Sequence, residues 1–185
     1  MLGNNRPLRL WAVAAVSLLP LLVACDDNKT TTPPPEKLCD DVPYQWAADA
    51  TGQGDLSTKN MNGRVVVTTQ DRSGNCSIQD KDKNVILSFV VKLQDEFTAA
   101  KATADVEERL ASGNGVAIST PKGKGLVLSK APDSDKGIQS YWVCQGVTLD
   151  VSLKATKDAD KAADRLKTFT ERVAGLAPCL AAPKT

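Results

Sequence analysis

Five cysteines, Cys25, Cys39, Cys76, Cys144 and Cys179, are the side chains of this sequence with the widest choice of chemistry, and no histidine accompanies them. The missing imidazole removes the Ser-His-Asp triad, the Cys-His pair, the HExxH zinc site and an imidazole general base. A redox enzyme would show a CxxC pair, which the chain lacks. Structural zinc also draws on closely spaced cysteines, so metal binding is not expected. Disulfides remain for Cys39, Cys76, Cys144 and Cys179, an even set suited to an oxidising compartment. Four cysteines allow three connectivities. We favour Cys39–Cys76, tying the start of the domain to an early strand, and Cys144–Cys179, tying a late strand to the end of the last helix.

Other constellations are weaker. Asp80-Lys81-Asp82-Lys83-Asn84 alternates like the opening of a calcium loop, but Val85 and Val91 stand where that loop needs glycine and a bidentate glutamate. A hairpin turn is the better reading. Asp133-Ser134-Asp135 is equally short of ligands and reads as a surface loop. Gly113-Asn114-Gly115 and Gly123-Lys124-Gly125 lack phosphate-loop spacing and read as turns. A serine activated by a buried lysine stays open on composition alone, without a GxSxG motif to support it. With 23 basic against 22 acidic residues, a net charge of +1 gives no footprint for nucleic acid. Among the aromatics, Tyr141, Tyr44 and Trp46 are the candidates for a ligand pocket. Trp142, beside Cys144 on the opposite strand face from Tyr141, is the candidate for the core.

Residues 1–24 have the zones of an export signal: Arg6 and Arg9, an apolar run from Leu10 to Leu22, and a small-residue exit. The apolar run is shorter than the roughly 20 residues a membrane-spanning helix needs. Leu22-Val23-Ala24-Cys25 resembles a bacterial lipobox. That resemblance implies cleavage before Cys25 and acylation of its thiol, the nucleophile being alkylated. Two or three acyl chains anchor stably where one holds only marginally. The alternative is an ordinary signal peptide with Cys25 left as a free thiol. Loss of Arg6 and Arg9 turns the net charge from +1 to −1, so the membrane is reached through lipid rather than charge.

The elements that must position these residues follow in order. Residues 25–37 form a Thr/Pro-rich tether, too polar to fold and stiffened by Pro33-Pro34-Pro35. Residues 38–182 make one domain and 183–185 a tail. A helix is expected over Pro43–Ala50, and strands over Gly63–Gln70, Cys76–Gln79 and Val85–Leu93. A helix over Thr98–Ala111 ends at Gly113. Strands over Gly115–Ser119, Leu126–Lys130, Ile138–Cys144 and Val147–Lys154 come next, the last two joined by the tight Gln145-Gly146 connection. The closing helix, Asp158–Ala174, carries Ala162, Leu166, Phe169 and Val173 on one stripe. The class is α+β: an antiparallel sheet of about seven strands with three flanking helices and two disulfides.

Taken together, these motifs resemble the actinobacterial envelope lipoproteins grouped as the domain of unknown function numbered 3558. The resemblance rests on the lipobox, the tether, Leu38-Cys39-Asp40, Asn75-Cys76-Ser77, Tyr141-Trp142-Val143-Cys144 with Gly146-Val147-Thr148-Leu149, and the alanine-rich closing helix. Where the family shows Cys-x-Trp, this chain has Ile78. A more distant similarity is to the two-disulfide extracellular sensor domains of mycobacterial membrane kinases. The resemblance implies a lipid-anchored, non-enzymatic binding or sensor-like module on the outer face of a bacterial membrane, taking a small molecule, glycan or lipid and needing no cofactor. An accessory subunit docking on a membrane protein complex is the alternative expectation.

Overall fold

The computed structural model describes residues 33–59, 63–128, 137–154 and 159–183. The expected leader 1–24, Cys25, most of the 25–37 tether and the Asp133-Ser134-Asp135 loop lie outside the described residues.

In chain order come β1 (Lys37–Leu38) and β2 (Val42–Pro43), a two-residue pair, then α1 (Tyr44–Thr51), β3 (Ser57–Lys59), β4 (Ser73–Gln79) and β5 (Val85–Leu93). α2 (Glu96–Ala111), β6 (Gly115–Ser119), β7 (Lys124–Leu128), β8 (Ile138–Cys144), β9 (Val147–Leu153) and α3 (Ala159–Leu176) complete the domain. Strands β3 to β9 form one antiparallel sheet in the order β3-β4-β5-β9-β8-β7-β6. The fold is α+β with the two expected disulfides: Cys39–Cys76 and Cys144–Cys179 have Cα atoms 6.0 Å and 5.4 Å apart.

Period-two alternation gives the sheet two unlike faces. One carries Leu87, Phe89, Leu149, Val151 and Trp142, all buried at 1% exposure or less, and is covered by α1 and α3. The stripe Ala162, Leu166, Phe169 and Val173 packs there as the helical spacing predicts. The other face carries a smaller cluster of Leu126, Leu128 and Val143 against Val106 of α2. α2 contacts β6 to β9, and over β4 and β5 that face is half-exposed and mostly polar, with Ser77, Gln79, Ser88 and Lys92.

Three expected elements are corrected. Gly63–Gln70 is not a strand: Val65 and Val67 are buried and Val66 is 46% exposed, as in extended chain, but no sheet ladder forms. Val65 N–H donates instead to the Asp41 carboxylate at 3.1 Å, and the segment closes in a Thr68–Asp71 turn. The sheet edge beside β4 belongs to the short β3, whose polar Ser57-Thr58-Lys59 gave no apolar signal. Second, α2 begins at Glu96 rather than Thr98, because the Asp95 carboxylate accepts the Thr98 backbone N–H at 2.8 Å and caps the helix earlier. Those bonds from Thr98 hold the Asp95 carboxyl below its ordinary value. Third, β7 begins at Lys124, two residues before the expected Leu126, with Gly125 opposite Trp142; Ser129 and Lys130, the expected end of the strand, lie outside the described residues.

Gly125 is required by close approach. A Cβ there would lie 2.0 Å from the Tyr141 carbonyl oxygen. The absent side chain lets β7 lie flat on β8 while the Trp142 indole fills the core and donates to Thr120 Oγ1 at 3.1 Å. Gly113, in the left-handed region at φ 71°, ends α2 in a Schellman arrangement: its N–H reaches Leu110 O at 3.1 Å and Asn114 N–H reaches Arg109 O at 3.0 Å. At the end of α3, Lys122 Nζ donates to Gly175 O and Ala177 O, placing a cation where the last carbonyls have no helical partner.

Trp142→Ala is expected to cost about 3–5 kcal/mol. Gly125→Ala should also lower the urea midpoint, although it adds only one carbon. Equilibrium urea unfolding followed by tryptophan fluorescence, with far-ultraviolet dichroism for the Trp142 variant, measures both.

Candidate functional site

A cleft of about 280 Å³ opens where α2 stops covering its face of the sheet. Its apolar wall is Ala102 and Val106 of α2 against Leu126 of β7 and Val143 of β8. Its polar side is Tyr141 of β8, Thr148 and Asp150 of β9, and Gln94 just beyond β5, with Asp105 and Arg109 of α2 at the rim. The volume lies just below the roughly 300–1,000 Å³ of drug-sized sites, so the cleft suits a small ligand.

Register sets this geometry. One cross-strand row on this face runs Asn75, Val90, Asp150, Tyr141, Leu126. Direct cross-strand neighbours have Cβ atoms about 4.5–5.5 Å apart, so the Asp150 carboxylate and the Tyr141 ring stand side by side. Tyr141 Oη donates to Gln139 Oε1 at 3.1 Å, and Gln94 Nε2 donates to Thr148 Oγ1 at 2.9 Å. Both of those polar pairs are satisfied within the protein.

Asp150 differs. Its carboxylate has neither a hydrogen bond nor an ion pair among the described residues. Burial pushes its pKa above the ordinary carboxylate value, and the charge of Lys92, two register pairs along on β5, partly opposes this. Lys92 itself is exposed and forms no ion pair with Asp150. An acid in this position destabilises the fold when ionised, which marks it as a candidate for function.

The sequence candidates are dispersed. Tyr141 lines the cleft. Tyr44 and Trp46 lie on α1, against the opposite face of the sheet. The Tyr44 hydroxyl oxygen accepts the Leu56 N–H at 3.2 Å, and the Arg172 guanidinium lies 5.9 Å from the centre of the Trp46 ring. Arg172 also donates to Asp49 at 2.9 Å; Gln45 and Arg172 together hold the Asp49 carboxyl below its ordinary value. The calcium-like turn joins β4 to β5. Asp80 accepts the backbone N–H groups of Asn84 and Asp82, each at 2.9 Å, and the Asn84 bond leads in lowering its pKa.

Among the described residues, two serine–lysine combinations come into question and neither forms a site. Lys83 Nζ lies 3.4 Å from Ser57 Oγ on an exposed edge with nothing to desolvate the ammonium. Ser119 and Lys122 have SxxK spacing, but Lys122 donates to the carbonyls at the end of α3. The decisive residue, Asp150, carried one sequence signal: it is the lone acid in Val147–Leu153, in phase with Thr148 and Ser152. That phase defines a polar strand face; the helix turning it into a cleft wall comes from tertiary packing.

No family model matches the chain, and no curated protein sequence is similar to it. Among solved structures, a GTP-binding regulator from Thermotoga maritima is 8% identical, with 70% of this chain and 89% of that chain covered at a TM-score of 0.32. A likeness at that score carries no argument about fold or function.

Asp150→Asn is expected to raise thermal stability at neutral pH. The sign follows from the raised pKa: the folded state holds the proton more tightly than the unfolded chain, so the stability Asp150 supplies is present below the unfolded pKa of about 3.9 and is lost as pH rises through the folded value. The variant's advantage should therefore vanish near about pH 3. Melting temperatures of both proteins across that range test it.

Proposed function

We propose that this protein is a lipid-anchored, extracytoplasmic binding module of a bacterial cell envelope, without catalytic activity, whose ligand seats in the cleft between α2 and β7–β9. The observation that carries the reading is the cleft itself, with its apolar wall and one half-buried, unpartnered carboxylate. Such a combination of apolar surface and few polar groups is typical of small-molecule sites.

Two disulfides support an oxidising, extracytoplasmic setting. Among the described residues, no helix is long and apolar enough to cross a membrane. Leu22-Val23-Ala24-Cys25, with the tether that follows, supports attachment through Cys25 and is one of the features on which the resemblance to the actinobacterial lipoproteins rests. An accessory subunit is the second reading, favoured by Phe97 on α2, an aromatic 80% exposed. An isolated exposed aromatic is weaker support than a formed cleft.

In a bacterial host, Cys25→Ser should move the protein from the membrane pellet to the soluble fraction and abolish palmitate labelling. For the cleft, the native mass of the exported protein should exceed its denatured mass by that of a retained small molecule. Ala102→Trp, which fills the mouth from α2, should remove the excess; equal native and denatured masses in the wild type would count against the reading.

A further inference from the structure

Asp150 is half-buried between its two row neighbours and lacks a donor among the described residues. Val90 and Tyr141 flank it on β5 and β8, and Ala102 and Val106 of α2 line the same cleft. A second unpartnered group shares the row: Asn75 Oδ1 is buried with no hydrogen bond. Both unpartnered groups are acceptors. Of the polar groups nearby, Gln94 donates to Thr148 and the Tyr141 hydroxyl to Gln139, and neither donates to Asp150. Arg109 is exposed at the rim.

Resting on the proposed cleft, we infer that its ligand is a cationic amphipath: an ammonium group that pairs with Asp150 and lies against the Tyr141 ring, carried on an apolar body that packs on Leu126, Val143 and Val106. An ammonium supplies three donors and a full charge to a carboxylate that has neither. The neighbouring tyrosine adds attraction between the cation and the ring face. A carboxylate-headed ligand would set like charge beside Asp150 and leave it without a donor. Arg109 and Asp105 at the rim balance each other, so the charge that selects the ligand is the enclosed one. Lys92 is the resident cation closest in register; it acts through space, and a bound ammonium would take over its compensation of Asp150 at contact distance.

The test uses the full chain in detergent and three probes with one apolar body: 2-phenylethylamine, 2-phenylethanol and 3-phenylpropionate, titrated at neutral pH by calorimetry. The amine should bind about tenfold more tightly than the alcohol, the scale of a hydrogen bond to a charged group, and the acid most weakly. Asp150→Asn should erase the amine's advantage over the alcohol. Lys92→Gln should tighten the amine a few-fold by removing a competing charge. Equal binding of amine and alcohol, or an advantage that survives Asp150→Asn, would overturn the cationic class and leave the cleft standing. Absence of saturable binding by all three would overturn both.

Discussion

The pairing of β5 with β9 is the contact on which the molecule depends. Seven register pairs, from Leu87 with Leu153 to Leu93 with Val147, join a sheet half built from β3, β4 and β5 to one built from β9, β8, β7 and β6. Most other strand neighbours are adjacent in sequence or nearly so and close through short turns. This seam closes a long loop, whose entropy only a well-buried ladder offsets. Leu87, Phe89 and Val91 with Leu149, Val151 and Leu153 provide the burial, each at 1% exposure or less. α1 and α3 pack over the apolar face that the seam makes continuous.

The chain's crossing point lies at one end of that seam. Gly146, in the turn after β8, accepts Gln94 N–H through its carbonyl and donates its own N–H to Leu180 O, so the ends of two sheet halves and the segment after α3 share one short backbone network. The Cys144–Cys179 bridge fixes the same crossing covalently, while Cys39–Cys76 fastens the N-terminal segment to β4 in the other half. Each bridge spans a loop of similar length, 35 and 37 residues in sequence. In the chain-entropy model each is worth roughly 3–4 kcal/mol. The bridges hold the periphery; the seam holds the centre.

The two faces of the sheet have unequal tasks. A face covered by two helices excludes polar side chains unless they bond each other, as Ser140 and Thr170 do across 2.6 Å. The α2 face is covered only in part. Thr148 and Asp150 fall where coverage runs out: Thr148 accepts from Gln94, whereas Asp150 has no donor among the described residues. A stability-driven sequence would place an apolar or neutral residue at position 150. The acid that stands there instead leaves a half-buried carboxylate on the partly covered face.

Much of this was legible in one sequence because the signals were local. Cysteine number and compartment settled that there would be two bridges; strand phase assigned Trp142 to the core and Tyr141 to the other face; the three-and-four spacing of Ala162, Leu166, Phe169 and Val173 fixed the buried side of α3. What failed locally was the extended stretch around Val65, whose β-branched residues fit a strand but whose backbone found Asp41 instead of a ladder. The cleft was beyond local reach for a different reason. Its walls come from α2, β7, β8 and β9, and the meaning of Asp150 depends on which helix covers it and where that cover stops. Periodicity dictates which face a side chain takes; only the packing of distant elements decides what that face meets.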